Sequence, residues 1–357
     1  MKKNKVIYLA IAIFAILGTG IFCACHDESK QQPQTVSVLI YSEYIDPAML
    51  DEFHRLTGYT LTLDLYEAQE EMISKLQSAD SKPYDVIIAS DVVIQQMISL
   101  GLIAKIDTNK VPNRQNISFH FKNPNYDPTD AYTLPYLWGT AGILYRDKKI
   151  SPDKVSYSML FDSTKTKGKF SLLDESRSML SMALLAKGFD ANSVEKKEID
   201  QAVELILQAK KDPNFVGFDG SVGSKDKVLS GKDWAAIVFN GEAMAAIDED
   251  KSLQFAIPTE GSFMWVDAMT LCSRSQNVEG AYTFMNYILD AQVGAQLAKF
   301  INYATPNKAS LAYLDKEFTE NHVINPSPVE IGRMVFLRDP GDASKLFDEA
   351  WKTIKTR

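Results

Sequence analysis

An α/β architecture in two lobes of similar size is the fold class that this sequence predicts, and three observations carry it. The 357 residues exceed one average domain, since chains divide at roughly 150 residues per domain. From Val36 to Gly101, apolar β-branched runs alternate three times with helical spacing across short connections. The same alternation resumes after Gly142 without a sequence repeat. Apolar residues make up 45% and charged residues 24%, which excludes wholesale disorder, collagen and a multi-span membrane protein. A sheet of this kind takes its ligands at the carboxyl ends of its strands.

The front of the chain stands apart. Lys2, Lys3 and Lys5 are the only charges among the first 24 residues, and Val6 to Leu17 is an unbroken apolar run. That is the length of an export-signal core and short of a membrane span. Gly18, Thr19 and Gly20 follow, and Ile21-Phe22-Cys23-Ala24-Cys25 ends the stretch. The segment resembles a bacterial lipoprotein signal, cleaved after a small residue so that the next cysteine is lipidated. Ala24 before Cys25 fits, whereas Phe22 before Cys23 does not. The expectation is a signal over 1–24, lipidation at Cys25 and a flexible tether over 25–35. An uncleaved anchor helix is the alternative. Either way the body lies outside the cytoplasmic membrane. Cys272 is then the one cysteine left, so no intrachain disulfide is available. The net charge of −8 includes the basic front, so the body is more acidic still. It repels nucleic acid and attracts cations.

In the body, Val36 to Tyr41 reads as a buried strand. Asp46 caps the next helix, Pro47 suits its first position, Met49, Leu50, Phe53 and Leu56 form one face, and Gly58 stops it. Thr60 to Tyr66 alternates as a half-buried strand, and Ala68 to Ala79 puts Met72, Ile73 and Leu76 on one helical face. Tyr84 to Ala89 is the third strand, after which Ser90 or Asp91 caps a helix ended by Gly101. Later strands are expected at Gly142 to Tyr145, Phe170 to Leu173 and Ala235 to Phe239. Helices are expected at Met179 to Lys187, Glu198 to Lys210 and Val278 to Leu289.

Tyr41-Ser42-Glu43-Tyr44, with Pro47 and the helix ending Phe53-His54-Arg55-Leu56-Thr57-Gly58, resembles the opening of the spermidine/putrescine-binding proteins of ABC importers. Five further segments resemble that family in order: Tyr84 to Ser90, Leu134 to Gly139, Phe239 to Gly241, Phe263 to Asp267 and Tyr303 to Asn307. Each is weak alone, but six collinear matches over 36–357 are specific. The resemblance implies a two-lobed periplasmic-binding-protein fold. Each lobe would be a mixed, mainly parallel sheet flanked by helices, with hinge crossovers near Trp138 to Thr140 and Asp267 to Ala268. Residues 36–138 with 268–304 would form one lobe, and 139–267 with 305–357 the other.

The implied activity is capture of a polyamine, spermidine or putrescine, for delivery to an ABC permease, with no reaction and no cofactor. The implied receptor is a monomer held at the membrane by its lipid. A polyamine needs carboxylates for its ammonium groups and flat apolar walls for its methylenes, and aromatic rings supply both area and attraction to cations. By resemblance, Glu43 and Asp267 match family carboxylates, and Glu175 stands where an Asp is usual. Tyr44, Trp265 and Tyr303 match the aromatic cage, and Tyr41 and Phe239 stand where Trp is usual. Ser42 and Ser90 offer hydroxyls. Ser178 replaces a second carboxylate, Val93 a Tyr and Leu337 a Gln, so the ligand's length stays open. Asp91 either compensates or serves only as a helix cap.

Other chemistry finds less support. His26, His54, His120 and His322 have no ligand spacing to one another or to a cysteine, so no metal site is expected. There is no Gly-rich phosphate loop and no Gly-x-Ser-x-Gly elbow. A sugar, another organic cation or ferric ion remains an alternative ligand. An exported glycoside hydrolase using Glu43 and Asp267, with Trp265 as a sugar platform, is the alternative enzyme. A scaffolding or adhesive surface lipoprotein is the third class.

Overall fold

The computed structural model describes residues 34–78, 82–147 and 150–357. The expected signal over 1–24, the lipidation at Cys25 and nearly all of the tether fall outside them. Strand β1 (Thr35–Tyr41) lies between two parallel partners, β2 (Thr60–Tyr66) and β3 (Val86–Ser90). Helix α1 (Pro47–Thr57) starts where the Ala48 N–H donates to the Asp46 carboxylate at 2.9 Å. It ends at Gly58, whose φ of 77° lies in the left-handed region that favours glycine. It buries Met49 and Phe53; α2 (Gln69–Gln77) buries Met72 and Leu76. Both pay their ordering entropy through that apolar face.

Helix α3 (Asp91–Ser99) departs from the expected cap. The Ser90 side chain makes no capping bond to the helix backbone and donates instead to Asp91 Oδ1 at 3.0 Å. Asp91 is the first helical residue and is buried.

Two long strands organise the remainder. β5 (Thr133–Tyr145) and β10 (Ser262–Cys272) run antiparallel to each other through the middle of a single eleven-stranded sheet, ordered β2-β1-β3-β10-β5-β8-β6-β7. Here β6 is Phe170–Leu173, β7 is Phe215–Asp219 and β8 is Ala235–Phe239. Short strands complete it: β4 (Ile103–Ala104) and β11 (Met334–Phe336) on β10, and β9 (Gln254–Ala256) on β5. β5 pairs with β10 up to Thr140 and takes β8 as a partner from Ala141 onward. β10 is antiparallel to β3 from Asp267 to Leu271, so the sheet is mixed. The sequence signalled only the Gly142 to Tyr145 part of β5, because Pro135 and Gly139 interrupt its strand pattern. Pro135 is accommodated because the β5–β10 register slips beside it, between Asp267 and Ala268, at a β-bulge.

Six longer helices follow α3: α4 (Ser176–Ala186), α5 (Lys196–Ala209), α6 (Ser221–Leu229), α7 (Asn240–Glu249), α8 (Val278–Ile288) and α9 (Ala291–Ile301). α10 (Ser344–Thr356) closes the chain. Two large apolar cores result. One gathers Val38, Phe53, Tyr136, Met269 and Phe284, and Phe318 and Ile324 join it; the other gathers Ile143, Phe170, Met179, Ile237 and Phe347. Trp265 packs against both.

Gly139 makes that placement possible. A Cβ there would lie 2.4 Å from Trp265 Cζ2 and 2.5 Å from Asn240 Oδ1. Gly139→Ala is therefore expected to overpack the junction and lower stability by about 1–3 kcal/mol. A urea melt of the variant checks this; an unchanged midpoint would show that the Trp265 ring can yield.

Candidate functional site

The carboxyl ends of β1, β2, β3 and β8 converge beside the paired middle of β5 and β10. Tyr41 ends β1, Tyr66 ends β2, Ser90 ends β3 and Phe239 ends β8. The β3–β10 register sets Ser90 directly opposite Asp267. Tyr303 arrives from the turn after α9, which Asn302 ends in the left-handed region at φ 61°. The Trp138 N–H donating to the Ala304 carbonyl at 3.1 Å ties that turn to β5. Thr140 N–H donates to Asn240 Oδ1 at 2.9 Å and so fixes the start of α7 against β5.

The five aromatic residues singled out from sequence form one unbroken row of ring contacts. Tyr41 meets Tyr44 at 5.6 Å between centroids, Tyr44 meets Tyr303 at 6.3 Å, Tyr303 meets Trp265 at 4.8 Å and Trp265 meets Phe239 at 6.1 Å. All four contacts are edge-to-face, the arrangement that ring quadrupoles favour. Gly241 lets the Tyr303 ring come close, since a Cβ there would lie 2.5 Å from Tyr303 Cζ.

Carboxyl groups border this row. Asp267 is buried and accepts a 2.6 Å hydrogen bond from the Tyr44 hydroxyl. Burial pushes its pKa up to about 7, against the pull of that bond. Burial pushes neighbouring Asp91 up to about 8, and the Asp267 charge adds to this. Tyr41, Tyr44 and Tyr303 are driven well above the usual phenol range, first by burial and then by nearby carboxylates. Glu175 shows its surface to solvent yet has protein around most of it, as a residue on a concave wall does. That crowding raises its carboxyl, a hydrogen bond from Ser178 at 3.0 Å opposes the rise, and the charges of Glu242, Asp174 and Glu70 add to it.

Ser42 is half-buried with its hydroxyl bonded to Glu67, and Glu43 is exposed with φ 55°. Neither is brought against the ring row by a hydrogen bond. Asp267, Asp91, Glu175, Glu242 and Glu43 take part in no ion pair among the described residues. No group of three or more His, Cys, Asp or Glu among them is placed to hold a metal. The surface cavities beside Cys272 and beside Phe300 contain none of these residues.

Three residues escaped the sequence reading. Glu242, in the first turn of α7, accepts from the Tyr303 hydroxyl at 3.0 Å, and burial raises its carboxyl. Tyr66 packs at a tilt against Tyr41, 4.3 Å between centroids, and Tyr136 meets Tyr44 at 5.6 Å while donating to its backbone carbonyl at 2.6 Å. Glu242 and Tyr66 were open to discovery, because both lie at the carboxyl end of a strand. Tyr136 was not, because it lies in the part of β5 that Pro135 and Gly139 hide from the strand pattern.

Residues 48–325 match the bacterial extracellular solute-binding proteins. The chain belongs to that family. A spermidine/putrescine-binding periplasmic protein of Escherichia coli is 29% identical over 355 residues, 99% of each chain. A spermidine/putrescine ABC transporter substrate-binding protein of Streptococcus pneumoniae superposes with a TM-score of 0.79 at 25% identity, over 90% of this chain and 99% of that one. A lipoprotein of Treponema pallidum superposes at 0.80 and 25%, over 90% and 100%. Members of this solute-binding family hold a solute and pass it on, and they are not enzymes, so the hydrolase alternative is set aside. No described helix is long and apolar enough to cross a membrane.

Tyr44→Phe removes the hydrogen bond that favours ionised Asp267, so the carboxyl pKa should rise further. The cost should be about 1.5–3 kcal/mol near pH 8, where Asp267 is charged, and smaller near pH 5, where it is protonated. Urea denaturation at the two pH values checks this; equal losses would mean that Asp267 is not titrating between them.

Proposed function

We propose that this chain is an extracytoplasmic polyamine receptor that captures spermidine or putrescine and presents it to an ABC permease. One observation carries the reading: buried carboxyls without an ion-pair partner border a continuous row of aromatic rings. A buried carboxylate without a counter-ion is costly, and an arriving ammonium supplies both the charge and the hydrogen bonds. The rings then cover the methylenes and attract the cationic ends, each contact worth about 0.5–2 kcal/mol when desolvated. The named relatives bind the same ligand class and support this assignment.

The contacts we assign run from Tyr41, Ser42, Glu43 and Tyr44 through Ser90, Asp91, Trp265, Asp267 and Tyr303 to Phe239 and Glu175. Glu242 joins them as the carboxylate that stands in for the one lost at Ser178. We further assign the halves built on the two apolar cores as lobes that close over the ligand, because the closed form alone pairs its ammonium groups on both sides. Export by the signal over 1–24, lipid attachment at Cys25 and a monomeric state complete the reading. The tether then lets the body reach a permease in the same membrane.

Titration calorimetry against putrescine and spermidine, with a sugar and ferric citrate as comparisons, tests the function. Saturable binding of a polyamine alone is expected, and indifference to both polyamines would overturn it. Asp267→Asn should weaken binding by about 2–5 kcal/mol. Affinity close to wild type would remove Asp267 from the site.

A further inference from the structure

Asp91 sits one residue beyond the position facing Asp267 across the β3–β10 ladder. Its Oδ1 accepts from Ser90, whereas its Oδ2 is buried without a hydrogen-bond partner. The residue is 3% exposed and Asp267 6%, so both carboxyls are withdrawn from water. Two buried acids whose charges act on each other cannot both ionise cheaply.

The groups around them offer no cation. Asp267 faces Tyr41 and Tyr44 from β1 and its turn, Tyr66 from β2, Tyr136 from β5 and Tyr303 from the turn after α9. Asp91 faces Asp267, the Ser90 hydroxyl, the backbone of Val92 and Val266, and Tyr126 from the loop over α3. Those neighbours are phenols, hydroxyls and amides, so only a proton or an incoming cation can neutralise the second charge.

We propose that Asp91 tunes the charge of the ligand site: it shares one proton with Asp267, and a ligand ammonium seated on Asp267 expels that proton. The inference rests on the polyamine reading above. The carboxylic O–H releases its proton to the buffer, the pair goes from one negative charge to two, and the ammonium supplies the compensating positive charge. The raised pKa values of about 8 for Asp91 and about 7 for Asp267 agree with one proton held near neutrality. Because the proton must leave, affinity rises with pH up to the pKa of the pair and levels off above it. Asp91 thereby sets the pH at which the site opens to cations.

The test is calorimetry with putrescine on the full chain, from about pH 5.5 to about pH 8.5, in two buffers of unlike ionisation enthalpy. In the native protein, affinity should fall up to about tenfold per pH unit as the pH drops below about 8, with a buffer-dependent enthalpy that reports proton release. In Asp91→Asn, the fall should begin about one unit lower and proton release near pH 6.5 should shrink. A parallel loss at every pH with unchanged proton release would make Asp91 merely structural. A flat profile in the native protein would overturn the proposal. A carbon-13 NMR titration of the ligand-free protein, with Asp267 identified through Asp267→Asn, decides the pair independently. A midpoint above about 6 that drops in Asp91→Asn supports it, and a midpoint below about 5, or one that does not move, sinks it. If no polyamine binds at any pH, the functional reading fails while the NMR titration still judges the pair.

Discussion

A carboxylate buried where the two long strands pair, with a tyrosine hydroxyl as its hydrogen-bond donor, is the constraint around which this molecule is arranged. Asp267 lies on β10, which pairs with β3 on one side and β5 on the other, so it is walled in by backbone that has already spent its polar groups on the sheet. Water is largely excluded, and no lysine or arginine among the described residues pairs with Asp267. The Tyr44 hydroxyl limits that cost. An unpaired acid buried this way lowers the stability of the fold that holds it.

The frame that tolerates this cost is the continuous mixed sheet. β5 and β10 each pass through the middle of the molecule, and Trp265 packs against both apolar cores from the point where they pair. Gly139 and Gly241 are small because aromatic rings occupy the space their side chains would need. The bond from Thr140 to Asn240 joins this junction to the helix that carries Glu242. The ring row, the acids and the pairing of β5 with β10 are therefore one packed unit rather than a set of independent contacts.

Much of this was visible along the chain. The parallel opening of three strands and three helices follows from apolar spacing, from Asp46 and Pro47 at a helix start and from Gly58 at its end. Ser90 shows where such signals mislead: a hydroxyl before a helix reads as a cap, yet here a buried acid beside it offers the better acceptor. Pro135 and Gly139 hid most of β5, because local propensity does not register a bulge or a ring pressing on a glycine. Glu242 went unread, since nothing near it in sequence points to Tyr303.

By itself, then, the sequence determined the residue types of the site, the acidic body and the alternation that builds an α/β fold, because these depend on composition and on neighbours a few residues apart. Only the tertiary structure decided that Tyr41, Tyr44, Tyr303, Trp265 and Phe239 touch in one row, that Asp91 stands beside Asp267 and that Glu242 joins them. Those contacts join residues far apart in the chain, and their geometry is set by strand register and by the space left at two glycines.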